Sequence, residues 1–141
     1  MSKNTTTAVA PRAIKLGQRP KAFRAMNVDF VGPEGDPLRI PNVVFRYRTR
    51  SEFAQLLDER AEAAKAAVIP AAVDTEATVQ TIFHAADSTA AQALANCITA
   101  WELESEPSVE TLTELLDECP AAGAALWDAY ISAARDGRLG N

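Results

Sequence analysis

Three side chains in this sequence belong to types that act as nucleophiles, bases or metal ligands: His84, Cys97 and Cys119. A catalytic triad needs a nucleophile and a base oriented by a third group, and His84 stands beside Phe83 in an apolar helical pattern without such partners. The two cysteines form no CxxC pair, and two thiols with one imidazole do not complete a tetrahedral metal site. We therefore expect a partly buried histidine, two core cysteines, no catalytic residue, no metal and no cofactor.

Carboxylates are the other reactive groups that recur at regular spacing. They alternate along residues 102–106 and follow helical offsets along residues 110–118, as Glu102, Glu104, Glu106, Glu110, Glu114, Asp117 and Glu118. Paired carboxylates perform acid–base catalysis when an apolar pocket raises the pKa of one of them. No apolar cluster surrounds these positions in the sequence, so a solvated acidic face is the expectation.

Charge is distributed unevenly along the 141 residues, whose formal net charge is -5. Residues 66–134 contain no lysine or arginine, whereas every charged residue before Asp29 is basic. An acidic surface repels nucleic acid phosphates and favours basic or apolar protein partners. No apolar stretch is long enough to cross a bilayer, and the sparse cysteines without a signal-peptide pattern fit a reducing cytoplasm. The sequence thus indicates a protein binder, with neither a nucleic acid nor a membrane as partner.

A basic leader and a β-hairpin precede the acidic part. Residues 1–20 show no apolar period, which predicts a flexible leader. Apolar residues alternate on both sides of a Gly- and Pro-rich turn at residues 32–37, as Met26, Val28 and Phe30 before it and Val43, Phe45 and Tyr47 after it. This period of two predicts a hairpin within residues 21–49, with Pro41 at an edge or a bulge. Arg46 and Arg48 would then face outward.

About five short helices are predicted within residues 50–136. The fold class is therefore α+β and mostly helical, a β-hairpin followed by a helical bundle in one domain over residues 21–141. Thr49 and Glu52 fit a capping box at the start of the first helix, and Pro70 is expected to end that helix.

The second to fourth predicted helices are read from caps and apolar spacing. Asp74 or Thr75 would cap the second helix, and Asp87 with Ser88 would cap the third. Residues at helical spacing are expected to face inward: Val79, Ile82, Phe83 and Ala86 in the second helix, Ala91, Leu94, Ala95, Ile98 and Trp101 in the third, and Val109, Leu112, Leu115, Leu116 and Cys119 in the fourth.

The last predicted helix, residues 120–135, begins with Pro120 and is apolar around most of its circumference. Such a helix either lies at the centre of its domain or offers one apolar stripe to a partner. Leu126 and Tyr130 form one stripe, which we expect to face the core. The neighbouring stripe is expected to bind a partner and consists of Gly123, Trp127 and Ile131.

Four segments together resemble the tail assembly chaperones of long-tailed bacteriophages. They are FRYRTRSEF at residues 45–53, TAWEL at 99–103, LLDECP at 115–120 and GRLGN at 137–141. Their order and spacing match as well, and the resemblance covers residues 38–141. Leu139, in the last of these segments, is added to the predicted partner-binding residues.

The resemblance implies a non-enzymatic protein of the host cell cytoplasm. Such a protein binds and solubilises the tape measure protein during tail morphogenesis and is absent from the mature virion. In these families a longer form, made by programmed ribosomal frameshifting, recruits the tail tube protein, and this chain would be the short form. Homo-oligomers are compatible with this role.

Two other function classes stay open. The acidic half could mimic DNA or mask a basic toxin, as small acidic inhibitors do, with the carboxylates of residues 110–118 as the working surface. An enzyme would need a pocket with convergent polar groups, which these positions do not supply. Salt separates the first class from a chaperone, because binding by charge weakens as ionic strength rises and apolar binding persists.

Overall fold

The computed structural model describes residues 10–73 and 78–136. These residues form one antiparallel sheet and four helices: β1 (Met26–Val31), β2 (Pro37–Phe45), α1 (Arg50–Val73), α2 (Val79–Ala95), β3 (Ile98–Ala100), α3 (Val109–Glu118) and α4 (Pro120–Asp136). The predicted α+β class is confirmed. The predicted hairpin gains a third strand, and the prediction of about five helices is corrected to four in the part of the chain described.

The predicted hairpin is present as β1 and β2. Its turn is closed by the amide of Gly32, which donates to the carbonyl of Asp36 at 2.8 Å. The pairing register shifts between Met26 and Val28, which places an extra residue in β2 after Pro41. There Asn42 has a φ of 52° and its amide donates to Asn27 Oδ1 at 3.1 Å. Pro41 therefore lies at a β-bulge, as predicted.

The third strand was not predicted. β3 pairs with β2 on the side opposite β1, so β2 is the central strand. Ile98 and Trp101 are both buried and lie three residues apart, a spacing that also occurs on a helix. A strand of three residues has no period of its own, so the helical interpretation of Ile98 and Trp101 was wrong.

Helix α1 begins at the predicted capping box. The Thr49 amide donates to Glu52 Oε1 at 2.9 Å, and the Glu52 amide donates to Thr49 Oγ1 at 3.2 Å. The first of these bonds lowers the pKa of the Glu52 carboxyl. The helix does not end at Pro70 but continues to Val73. A proline inside a helix removes one intrahelical hydrogen bond and costs about 3 kcal/mol. The helix continues because the alanines on either side are the strongest helix formers.

Helix α2 replaces the second and third predicted helices. Its N-cap is Thr78, whose Oγ1 accepts from the Thr81 amide at 3.2 Å. The predicted caps Asp74 and Thr75 lie outside the described residues. Asp87 lies inside the helix and caps nothing, because an aspartate between alanine-rich turns costs too little to stop helix propagation.

Helices α3 and α4 begin as the sequence indicates. Ser108 caps α3, and Pro120 is the first residue of α4. Leu112 and Leu116 of α3 are buried. Gly123 of α4 lies so close to α3 that a side-chain carbon at this position would run into Leu116. The glycine therefore permits the close approach of the two helices.

Candidate partner-binding surface

One apolar face of α2 is covered by the domain at its C-terminal end and uncovered at its N-terminal end. Leu94 is buried and Ala90 is half-buried, whereas Val79 is 66% exposed and Phe83 is 65% exposed on the same face. Ile82 beside them is 43% exposed. The N-terminal half of α2 thus presents an unpartnered apolar stripe, which we name the α2 stripe: Val79, Ile82 and Phe83.

The predicted inward orientation of the α2 stripe is wrong. Periodicity identified the apolar face of the helix, but the N-terminal half of that face is exposed. His84 is exposed as well, contrary to the expectation of a partly buried histidine.

A groove of about 430 Å³ lies where this face of α2 meets α1 and α4. Small residues dominate its floor, and a half-buried tryptophan forms one wall. Its lining residues are Arg60, Ala86, Asp87, Ala90, Leu94, Leu116, Pro120, Gly123, Ala124, Trp127 and Asp128. The α2 stripe leads into this groove through Ala86, which lies on the same helical face.

Trp127 is held in place from two sides. The guanidinium of Arg60 lies over its indole, 4.3 Å from the ring centroid, and the Tyr130 ring lies 6.0 Å away. A cation over a tryptophan face is attracted by the ring quadrupole. The indole therefore forms a rigid wall of the groove and does not project freely into solvent.

The four predicted partner-binding residues have different positions. Gly123 and Trp127 both line the groove. Ile131 is partly buried against the core and is not among the residues that line the groove. Leu139 lies outside the described residues.

Tyr130 is the centre of the core beneath the groove. It is fully buried, as is Leu126, so the predicted core stripe of α4 is confirmed. The rings of Phe45 and Phe53 lie 5.4 Å and 5.8 Å from its ring. Aromatic contacts of this kind add to the free energy gained by burial. The orientation of Trp127 thus depends on a packed aromatic cluster.

The hydroxyl of Tyr130 accepts a hydrogen bond from Arg48, which the sequence pattern predicted to face outward. Arg48 donates to Tyr130 Oη at 2.9 Å and to the carbonyl of Asn96 at 3.0 Å. The pKa of Tyr130 is raised by burial, an effect that the neighbouring guanidinium opposes. The outward assignment of Arg48 was wrong, because β2 ends at Phe45 and a partly buried guanidinium needs acceptors. Asn96, the residue after α2, and Tyr130 of α4 supply them.

Cys97 is a buried core residue, as predicted, and Cys119 is half-buried. The Cys97 thiol donates to the carbonyl of Ala93 at 3.3 Å. Burial raises its pKa to about 11, although Arg48 and other basic groups oppose this shift. Such a thiol is a packing residue and a poor nucleophile at neutral pH.

We therefore expect Cys97 to resist alkylation in the folded protein. At pH 8 a thiol with a pKa of about 11 is ionised in about one molecule in a thousand, so iodoacetamide should label Cys97 only after denaturant is added. Peptide mass spectrometry measures this directly. Because the folded thiol keeps its proton to a higher pH than an unfolded thiol, its contribution to stability is complete below pH 9.0 and is lost as the pH rises through about 11. Rapid labelling of Cys97 in native protein would contradict this assignment.

The carboxylates of residues 102–118 lie on the surface. Every acidic side chain in this range is exposed, which confirms a solvated acidic face. Within residues 10–73 and 78–136, no group of acidic, histidine or cysteine side chains could hold a metal ion. The charged groups at the groove are Arg60, Asp87 and Asp128, around an otherwise apolar lining. This arrangement is suited to holding an apolar segment of a protein.

Comparison with known proteins gives the family. None of the helices described is both long and apolar enough to cross a membrane. Comparison with curated proteins and with solved structures finds no match. A family model described as phage tail assembly chaperone matches residues 9–141, nearly the whole chain. The chain therefore belongs to the phage tail assembly chaperone family.

Proposed function

We propose that this chain binds the tape measure protein, keeps it soluble during tail morphogenesis and is absent from the mature virion. Family membership supports a chaperone role in tail assembly. The observation that carries the proposal further is the unpartnered α2 stripe, which leads into the apolar groove beside Trp127. A surface of this kind suits a partner that is itself apolar and helical, as the family resemblance implies for a tape measure protein.

Binding would follow the helix-in-groove mode. An amphipathic helix inserts apolar side chains at positions i, i+3, i+4 and i+7 into a hydrophobic groove. The α2 stripe would cover one end of such a helix, and the small residues Ala86, Ala90 and Gly123 would let its backbone approach closely. Burying both apolar surfaces together removes the aggregation hazard that each carries alone.

The acidic surface has a separate task in this proposal. A net charge of -5 and the exposed carboxylates of residues 102–118 would keep neighbouring complexes apart while many copies coat one tape measure chain. Several weak sites along one rod give avidity without a tight single site. The protein would act in the host cell cytoplasm without catalysis, and a frameshifted longer form would recruit the tail tube protein. Ile131 and Leu139 remain proposed contacts beside Gly123 and Trp127.

A Trp127→Ala variant tests the groove. Loss of an aromatic wall should weaken the complex with the tape measure protein by about 2 kcal/mol, a factor of about 30. Recovery of co-expressed tape measure protein in the soluble fraction should fall accordingly. Trp127 is half-buried against Tyr130, so we also expect the melting temperature to fall by a few degrees while circular dichroism keeps the helical signal.

Leu126→Ala is the matched control, since Leu126 is its buried neighbour on α4. It should cost about 2–5 kcal/mol of stability as a core cavity does. At a temperature where this variant is still folded, it should solubilise the tape measure protein as well as the unmodified chain does. If both variants solubilise the tape measure protein fully, Trp127 is not part of the binding surface.

A second candidate function rests on the exposed acidic row of α3, namely Glu110, Glu114, Asp117 and Glu118. In that case the chain would be an acidic inhibitor or DNA mimic that masks a basic partner. Such binding would be governed by charge, so it would weaken steeply between about 0.1 and 1 M salt.

A further inference from the structure

The leader carries two large apolar side chains that nothing in the described structure covers. Ile14 is 84% exposed and Leu16 is 92% exposed. They flank Lys15, whose carbonyl accepts the amide of Gln18 at 3.3 Å in a turn where Gly17 has a φ of 85°. The leader therefore offers a pair of exposed aliphatic side chains at the start of a turn.

The charge of the leader is uniformly basic. Arg12 and Lys15 lie beside the two aliphatic residues, and no acidic residue occurs in the sequence before Asp29. Arg19 pairs with Glu52 at 3.1 Å, which places the base of the leader beside the start of α1. The segment that precedes Arg19 thus extends from the body with its apolar and basic groups available.

The groove is the complement of this segment. Its floor is apolar, and its α2 and α4 walls carry Asp87 and Asp128. Neither α2 nor α3 contains a lysine or an arginine. Arg60, the groove's basic lining residue, lies over the Trp127 ring. A basic segment with two aliphatic side chains fits this surface both in polarity and in charge.

We propose that, in the absence of another partner, the leader of a second copy of this chain docks in the groove. Ile14 and Leu16 enter the apolar groove, and Arg12 and Lys15 lie against Asp87 and Asp128. The contact depends on the groove and the leader and does not depend on the identity of the tape measure protein. Because the proposed partner helix uses the same groove, the two occupants exclude each other.

The symmetry of the contact between leader and groove determines how copies of the chain assemble. The leader of one copy and the groove of the next are different surfaces, so the interface is heterologous and leaves one free leader and one free groove. Association is therefore head to tail, depends on protein concentration and continues beyond the dimer. A partner that fills the groove disperses these assemblies into single copies, each ready to bind along a rod.

Sedimentation velocity of the full chain tests the contact. Without any partner, the mean sedimentation coefficient should rise with protein concentration. Ile14→Asp with Leu16→Asp should weaken association at least tenfold. The control Ala10→Asp with Gln18→Asp adds the same two charges to exposed positions of the same segment and should weaken it much less. A chain that remains monomeric at about 100 μM would overturn the proposal, as would equal effects of the two double variants.

A charge exchange between two variants decides whether the occupant is a second copy. One variant carries Asp87→Arg with Asp128→Arg, and the other carries Arg12→Asp with Lys15→Asp. Each variant alone should sediment as a monomer. An equimolar mixture should regain concentration-dependent association, because the reversed leader matches the reversed groove and the unmodified leader matches the unmodified groove. Failure to associate on mixing would overturn docking in trans, and monomeric behaviour of every sample would mean that a leader docks in its own groove or in none.

Discussion

Replacing Ile82 and Phe83 together by glutamate is expected to abolish solubilisation of the tape measure protein while leaving the fold intact. Phe83 is 65% exposed and Ile82 is 43% exposed, so the free chain loses part of the packing of Ile82 and little of that of Phe83. In the complex, burying them should contribute about 2–4 kcal/mol, so the double variant should bind about 30- to 1,000-fold more weakly. The measurement is the fraction of co-expressed tape measure protein that stays in the supernatant.

The control is Gln80→Glu with Gln92→Glu. It adds the same two negative charges to exposed positions of α2 without changing helix propensity appreciably. This control should solubilise the tape measure protein as the unmodified chain does. If this control also loses solubilisation, as the Ile82 and Phe83 double variant does, repulsion by the added charge explains the loss. The α2 stripe is then not the contact surface.

Tyr130→Ala is expected to have the largest effect on stability of any single substitution considered. It removes a fully buried ring that contacts Phe45, Phe53 and Trp127 and leaves Arg48 without one of its acceptors. Truncation of a large buried aromatic costs about 3–5 kcal/mol, and the lost acceptor adds to this cost. Urea denaturation followed by circular dichroism measures the change in the free energy of unfolding.

Tyr130→Phe isolates the hydroxyl. It keeps the ring and removes only the acceptor of the Arg48 hydrogen bond, so the expected cost is about 1–3 kcal/mol. In an Arg48→Ala background the same Tyr130→Phe change should cost much less, because the two groups then no longer interact. A cost below about 1 kcal/mol for Tyr130→Ala would show that the aromatic cluster does not organise the core.

Local signals in the sequence were sufficient for the hairpin, the capping box of α1 and the start of α4 at Pro120. Each of these depends on residues close together in the chain: alternating apolar residues around a turn, a threonine three residues before a glutamate, or a proline at a first helical position. β3 has only three residues and no such local signal. Its pairing with β2 joins segments far apart in sequence.

The surface proposed to bind the partner was predicted only in part, for a physical reason. Periodicity shows which face of α2 is apolar, but it does not show whether other elements cover that face, and Phe83 is 65% exposed. The partly buried position of Arg48 could not be predicted either, since its acceptors Asn96 and Tyr130 are distant in sequence. The prediction for Gly123 and Trp127 followed from the unusual apolar circumference of α4, and the structure places both at the groove.

The central claim is that apolar contact, and not charge, holds the tape measure protein in solution. Its most direct test is the sedimentation of purified tape measure protein, diluted from denaturant into buffer with or without this chain, at about 0.1 and 1 M sodium chloride. The Debye length falls from about 10 Å to about 3 Å between these conditions, so charge-driven binding is largely screened in the second. We predict that the tape measure protein stays in the supernatant with this chain at both salt concentrations and sediments without it. Sedimentation at both salt concentrations in the presence of the chain, or protection only at 0.1 M, would contradict the account.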